Sequence, residues 1–462
     1  MNSRINNKNC KLFLGQYIDN KKCSVSTVNS DKVKMKAKLF FTTVLFLTLF
    51  SSDKLFSQTW SAVGTGVNNR VSAMVVYSGQ LYAGGWFTTA GGTSAYYIAK
   101  WNGSTWSAVG TGVGNYVNAL AVYNNELYVG GEFTNAGGSP ANYLAKWNGT
   151  SWTAVSGGTS GPVNALVVYN NELYVGGDFD FANGAGAYNL AKWNGTSWTA
   201  VSGGTNDYVT ALGVYNNELY VGGNFSYAGG VIAYNLAKYN GTSWSAVGAA
   251  WTGVSPLVYS ITTYNSNLVV GGDFYSAGYV SNYNGSTWTG LGTGTNNTVR
   301  ALTVFNSELY VAGNFTLAGG AASNKIAKWN GTSWSTVGSG MNQQVFSFVE
   351  YNSELYAGGD FTTAGGVAAT AIAKWSVPTS LQEQPTENFV SVFPNPTNDL
   401  LTVSIEGLKT VVITNINGQI CKSVKTYDKT VSLADLTTGN YLVNVFNQDN
   451  KLLTTNKIVY EK

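Results

Sequence analysis

The sequence predicts an all-β protein: a seven-bladed β-propeller closed by an N-terminal outer strand, followed by a small C-terminal Ig-like β-sandwich. Three observations predict it. The 462 residues include 55 Gly, 14 Trp and 29 Tyr but only 11% charged residues, a balance that favours turn-rich sheets over helices. A tryptophan that follows Ser or Thr recurs at Trp60, Trp106, Trp152, Trp198, Trp244, Trp288 and Trp334, at spacings of 44 or 46 residues. Each repeat holds strand-like runs joined by tight turns, of which Asn-Asn and Asn-Gly in the second repeat are the type.

One unit, 117–156, shows the four runs. Strand A is VNALAVY and strand B, after the Asn-Asn turn, is ELYVGGEF; strand C is YLAKW and strand D, after Asn148-Gly149, is SWTAV. The Asn-Gly pair suits a type I′ turn, which needs positive φ at both central residues. Strands A and B are apolar at nearly every position, as strands buried on both faces are. About 45 residues and four antiparallel strands per repeat describe a propeller blade. A solenoid would need atypical capping repeats, and the sequence has none. The repeat region opens with a lone strand D, Thr59–Val63, and closes on A-B-C ending at Trp375. The first strand therefore completes the last blade and removes a free sheet edge.

The flanks divide the rest of the chain. Residues 35–57 carry Lys36 and Lys38, twelve mostly apolar residues from Leu39 to Phe50 and a small polar stretch, the pattern of a signal peptide. Twelve residues are too few to span a bilayer as a helix, which needs about 20. Residues 1–34 are an Asn- and Lys-rich extension with no place in that pattern, and Met35 is the expected start. The propeller occupies 58–376, a linker 377–388, and alternating strand-like runs fill 389–462. Residues 1–57 hold 10 basic and 3 acidic residues, leaving 16 basic and 20 acidic in 58–462, a net of −4. Such a chain has no electrostatic footprint for nucleic acid. Cys421 is the one cysteine after the signal, so no internal disulfide staples the fold.

The repeats resemble the Kelch and galactose-oxidase-like propellers and those of the fungal cortical cell-polarity marker. The strings GG-[DENW]-F-T-x-A-GG and A-K-W-N-G-T-S-W carry the likeness over 58–376. The tail resembles the C-terminal sorting domain of the type IX secretion system of Bacteroidota. Phe393-Pro394-Asn395-Pro396, Leu401, Asn417-Gly418, Leu436, Gly439, Tyr441 and Lys457-Ile458-Val459 match in the family's order. That resemblance implies export to the periplasm and then across the outer membrane, with the type IX machinery as partner. The cargo is then released or attached to the cell surface.

Absences exclude several activities. With no histidine, the chain can build no Ser-His-Asp or Cys-His catalytic group and no His-ligated metal site. A galactose-oxidase activity is excluded with them. The propeller has only Arg70 and Arg300, short of the arginine triad that the sialidase resemblance would require. No catalytic residue, cofactor or metal is assigned. The carboxylates after GG, Glu132, Asp178, Asp273 and Asp360, suit a carboxylate-only polysaccharide-degrading enzyme or Ca²⁺, but their repetition reads better as pairing with the Lys of A-K-W. Glu126, Glu172, Glu218, Glu308 and Glu354 in the A–B turns read as solvated turn residues. Asn102, Asn148, Asn194, Asn240, Asn284 and Asn330 fit a glycosylation sequon, but the hairpin explains them.

The D–A and B–C loops vary between repeats and share one face of a propeller, which suggests a recognition surface on a constant scaffold. Only Trp86 and Trp251 lie outside the repeat markers. In one repeat Val247 to Tyr264 spans 17 positions against 14 for Val201 to Tyr215, and Phe274 to Tyr283 spans 9 against 14 for Phe225 to Tyr239. Trp86, Trp251, Tyr275 and Tyr279 are therefore candidate binding residues for a glycan or a cell-surface protein. The expectation is a secreted or outer-membrane surface-attached monomer that binds without catalysis. A degradative enzyme and a purely structural surface protein are the alternatives.

Overall fold

The computed structural model describes residues 58–248, 256–376, 390–405 and 407–461. The signal segment and Trp251 lie outside them. Almost every element is a strand; the one helical element among the described residues is a 3₁₀ turn, Tyr275–Ala277. No helix among the described residues is long and apolar enough to cross a membrane.

The repeat folds as its sequence pattern requires. In the second copy strand A is Val117–Tyr123, B is Glu126–Gly131, C is Leu144–Trp147 and D is Trp152–Ala154, hydrogen-bonded in that order into one antiparallel sheet. Seven sheets share this pattern, and they are numbered here in chain order from the one that begins at Val71. Strand A of each sheet lies beside strand A of the next, and the seventh lies beside the first. The series of inner strands is thus closed. Strand B is buried on both faces from its second residue. Its two glycines are there because the neighbours leave no room for a Cβ. One on Gly130 would collide with Val163 of the next sheet, and one on Gly131 with the carbonyl of Tyr116.

The ends meet as the repeat count requires. Thr59–Ala62 is strand D of the seventh sheet, antiparallel to Ile372–Ser376, with Trp60 opposite Trp375. Side chains then tie sheet to sheet. Each D-strand indole donates to a carbonyl one or two residues past the preceding D strand, as Trp106 Nε1 does to Val63 O at 2.9 Å. Strand-A tyrosines donate to the next sheet's A–B turn, as Tyr169 Oη does to Asn217 O at 2.9 Å.

The two turns differ from the expectation in one respect. The type I′ geometry belongs to the A–B turn, where Asn124 and Asn125 have φ of 49° and 60°. In the C–D turn only Gly149 has positive φ, at 102°. Asn148 instead accepts from the amides of Thr150 and Ser151 at 2.9 and 2.8 Å, so its side chain closes a four-residue loop.

The tail has two sheets around one core. Val392–Phe393, Leu400–Val403 and Thr430–Ser432 form the smaller sheet. Lys409–Asn415, Ile420–Thr426, Gly439–Phe446 and Leu452–Tyr460 form the larger. Leu401, Val431, Ile413, Val443 and Ile458 meet in the shared core. Asn395, between Pro394 and Pro396, binds the last strand twice. Its Nδ2 donates to Lys457 O at 2.9 Å and its Oδ1 accepts from Val459 N at 2.8 Å. Gly418 has φ of 81° in the turn held by Asn415, and Tyr441, two residues past Gly439, donates to Thr437 O at 2.6 Å. The motif residues thus fix turns and strand ends of one small domain.

Trp60 is 4% exposed at the closing strand. Trp60→Ala is expected to cost about 3–5 kcal/mol. Denaturant titration of the full chain checks this; a loss below about 1 kcal/mol would mean that the strand contributes little to closure.

Candidate functional site

The variable loops do share one face, and side chains show how. Asn68 in the loop before strand A accepts from the amides of Thr88 and Thr89 in the B–C segment, at 2.8 and 3.0 Å. Asn206, Asn296 and Asn342 repeat the contact, and Ser160 substitutes for it in the third sheet. Most B–C segments form a small hairpin, such as Asn135–Ala136 with Ser139–Pro140. The hairpin glycine sits against the D-strand indole: a Cβ on Gly137 would press on Trp152.

The fifth sheet lacks this hairpin. The 3₁₀ turn Tyr275–Ala277 takes its place, and a cavity of about 340 Å³ opens there, lined by Ser276, Ser281, Trp288, Thr289 and Thr293. Tyr275, which precedes Ser276 in the same turn, is 74% exposed. Tyr279, with φ of 64°, is half-buried and packs on the core between the fifth and sixth sheets. Trp251 lies outside the described residues.

Trp86 belongs to a different cluster. Its indole stacks on Tyr116 at 4.4 Å, and the Arg70 guanidinium lies 4.2 Å from it. Arg70 also covers Phe346 at 4.2 Å and binds Asp360 with two nitrogens, at 2.7 and 2.8 Å. This cluster joins the first, second and seventh sheets, whereas Tyr275 stands on the fifth. The structure therefore does not bring Trp86 and Tyr275 together.

The axis of the ring is the other feature of this face. Every strand A has a register shift at the residue after its first valine, as between Val299 and Ala301. Such a bulge re-aims a side chain. Ser72, Thr210, Tyr259, Arg300 and Phe346 at these positions line an axial opening of about 240 Å³. Arg300 stacks on Tyr259 at 3.8 Å, and its buried Nε has no hydrogen-bond partner. Burial, and then the nearby Tyr259, Asp207 and Asp178, push the Tyr208 phenol above its ordinary pKa.

The lysines of A-K-W do not pair with the carboxylates after GG. They pair with the A–B turn glutamates: Lys146–Glu126, Lys192–Glu172, Lys238–Glu218, Lys328–Glu308 and Lys374–Glu354, at 2.6–2.9 Å. The register explains the correction. Lys146 lies opposite Tyr128, which shares a face with Glu126 two residues earlier, whereas Glu132 lies beyond the far end of the strand. The turn glutamates are accordingly half-buried ion-pair partners, not solvated residues. Asp360 is held by Arg70, and Asp273 accepts from Thr298 Oγ1 at 3.3 Å. Among the described residues no cluster of three or more His, Cys, Asp or Glu could hold a metal ion.

Sequence reasoning missed the bulge positions and the Arg70–Asp360 pair. The signal was present: the residue after the first Val of strand A is Ser, Asn, Thr, Tyr, Arg or Phe, the least regular place in an otherwise regular strand.

This geometry defines an all-β protein of propeller-like repeated sheets followed by a two-sheet tail. Residues 391–461 match the secretion system C-terminal sorting domain, and 110–254 and 153–308 match the Rax2 C-terminal beta propeller domain. The tail thus indicates export to the cell surface or secretion, and it implies interaction with the type IX secretion machinery. No curated protein matches the sequence. Among solved structures, the extracellular domain of the putative one component system BT4673 from B. thetaiotaomicron is similar at 13% identity and a TM-score of 0.51, over 86% of this chain and 53% of that one. The extracellular domain of the putative hybrid two component system BT3049 from the same organism gives 10% and 0.50, over 88% and 58%. PorZ, a surface component of the type IX secretion system of Porphyromonas gingivalis, gives 16% and 0.44, over 86% and 60%. The chain matches little more than half the length of these proteins, and at such identities the two B. thetaiotaomicron structures show the fold alone.

Asp360→Asn is expected to destabilise the protein by about 1–2 kcal/mol, because the Arg70 guanidinium loses its charged partner. Urea titration followed by tryptophan fluorescence checks this; an unchanged midpoint contradicts it.

Proposed function

We propose that the chain is an exported, seven-bladed β-propeller with an Ig-like sorting domain, acting as a non-enzymatic binding module at the cell surface. Residues 35–57 serve as its signal peptide, 58–376 as the propeller, 377–388 as the linker and 389–462 as the sorting domain. The module works as a monomer and engages its ligand, a glycan before a protein, through the face that carries the B–C segments.

One observation carries this reading. Six aromatic side chains are exposed among the described residues of the ring: Tyr96, Phe181, Tyr188, Tyr227, Tyr234 and Tyr275. All six lie between a strand B and a strand C, and none lies on an A–B or C–D turn. Five of them stand on the consecutive third, fourth and fifth sheets. Exposed aromatics confined to one face suit stacking on sugar rings or a protein hot spot. The hydroxyl-lined cavity beside Tyr275 and Trp288 supports the sugar.

Binding of the full chain to a broad glycan array tests the reading, with Tyr234→Ala and Tyr275→Ala beside it. A discrete glycan hit weakened about tenfold or more by either substitution is expected, the size of losing one stacking contact and its buried area. A blank array moves the reading to a protein partner. Turnover of a polysaccharide that stops in Asp178→Asn or Asp273→Asn would replace it with the enzymatic alternative.

A further inference from the structure

The fifth sheet departs from the repeat a second time, away from the loops, and three departures meet in space. Where the other six sheets place a tyrosine in strand B, it has Val269. Where five of them have the Glu–Lys ion pair, it has Asn267 and Asn282. The missing tyrosine matters to the neighbour. In four of the other six sheets that phenol packs on the strand-C tryptophan of the next sheet, and Trp193 Nε1 donates to Tyr128 Oη at 3.2 Å. Trp329 of the sixth sheet meets Val269 instead. It is half-buried, whereas Trp101, Trp147, Trp193 and Trp375 are buried.

The result is a cavity of about 190 Å³ between the fifth and sixth sheets, lined by Tyr264, Asn265, Asn267, Asn282, Thr289 and Trp329. Tyr264 is only 6% exposed, and its Oη has no hydrogen-bond partner. The same phenol on the fourth sheet, Tyr215, donates to Ser266 O at 3.1 Å. A buried hydroxyl left unpaired is costly, so its retention beside three amides points to a guest that pairs with it. No charged side chain lines the cavity. Asn265 and Thr289 are exposed, so it is reached from solvent.

We infer that this cavity is a second binding site, for one neutral sugar residue. The sugar ring lies on the Trp329 indole. Its hydroxyls pair with the amides of Asn267 and Asn282, which both donate and accept, and with Tyr264 Oη. A carboxylate or ammonium would find no countercharge there. The site goes beyond the loop-face reading, since it is built from strand ends and A–B turn residues and uses none of the exposed aromatics.

Calorimetric titration of the full chain with glucose, galactose, mannose and N-acetylglucosamine tests the inference. Millimolar binding of at least one is expected. Val269→Tyr restores the residue of the other six sheets, so it folds, and it should weaken that binding at least tenfold. The double change Asn267→Glu with Asn282→Lys restores the ion pair and should do the same. Tyr234→Ala, on the loop face, should leave it unchanged, so the two readings fail separately. Binding that survives Val269→Tyr overturns the inference. So does a cavity that holds ordered water only, seen as no heat with any of the four sugars.

Discussion

Everything in the ring depends on the pairing of Thr59–Ala62 with Ile372–Ser376. The strand-B glycines admit the next sheet so closely that each sheet is packed only while both neighbours are present. A closed series satisfies this for all sheets at once, but the chain has two ends. Making one sheet from both termini turns the break into an antiparallel strand pair, with Trp60 against Trp375 to bury it. Disruption there frees a sheet edge and uncovers the packing surface on either side.

Closure also gives meaning to irregularity. A repeated scaffold fixes most residues for reasons that repeat: the glycines for close approach, the tyrosines and tryptophans for ties between sheets, the Glu–Lys pairs for strand ends. A residue that breaks the pattern is released from those duties. The fifth sheet breaks it on the loop side, where a turn replaces a hairpin, and again at Asn267, Val269 and Asn282. The bulge positions break it around the axis. Among the described residues of the ring, the exposed aromatics all lie in the B–C segments. These irregular places, and not the repeated carboxylates, carry the chemical variety of the molecule.

The repeat, the strand order and the ring closure were legible in the sequence because each follows from spacing and from one strand left over at the start and one missing at the end. The sorting domain was legible because its turn and strand-end residues are distinctive. The shared loop face was legible too. What escaped was set by register. Whether Lys146 meets Glu126 or Glu132 depends on which residue of strand B lies opposite it, and periodicity alone does not say. The bulge that turns Arg300 toward the axis inserts no unusual residue and leaves no mark on the spacing. The stack of Trp86 on Tyr116 and Arg70 needs three sheets in place before it exists. The cavity beside Trp329 needed the tie between Tyr128 and Trp193 to be seen first, for only then does Val269 read as a missing side chain.

Export through a sorting tail and display of a variable face on a rigid ring fit one physical logic. With no disulfide among its described residues, the ring gains stability by closing its own sheet edges. Hydrogen exchange of the full chain tests that closure most directly. Amides of Thr59–Ala62 are predicted to exchange as slowly as those of the equivalent strands Trp106–Ala108 and Trp244–Ala246, which are joined to their sheets by short turns. Exchange of Thr59–Ala62 at the rate of unstructured chain, with the other two strands protected, would contradict it.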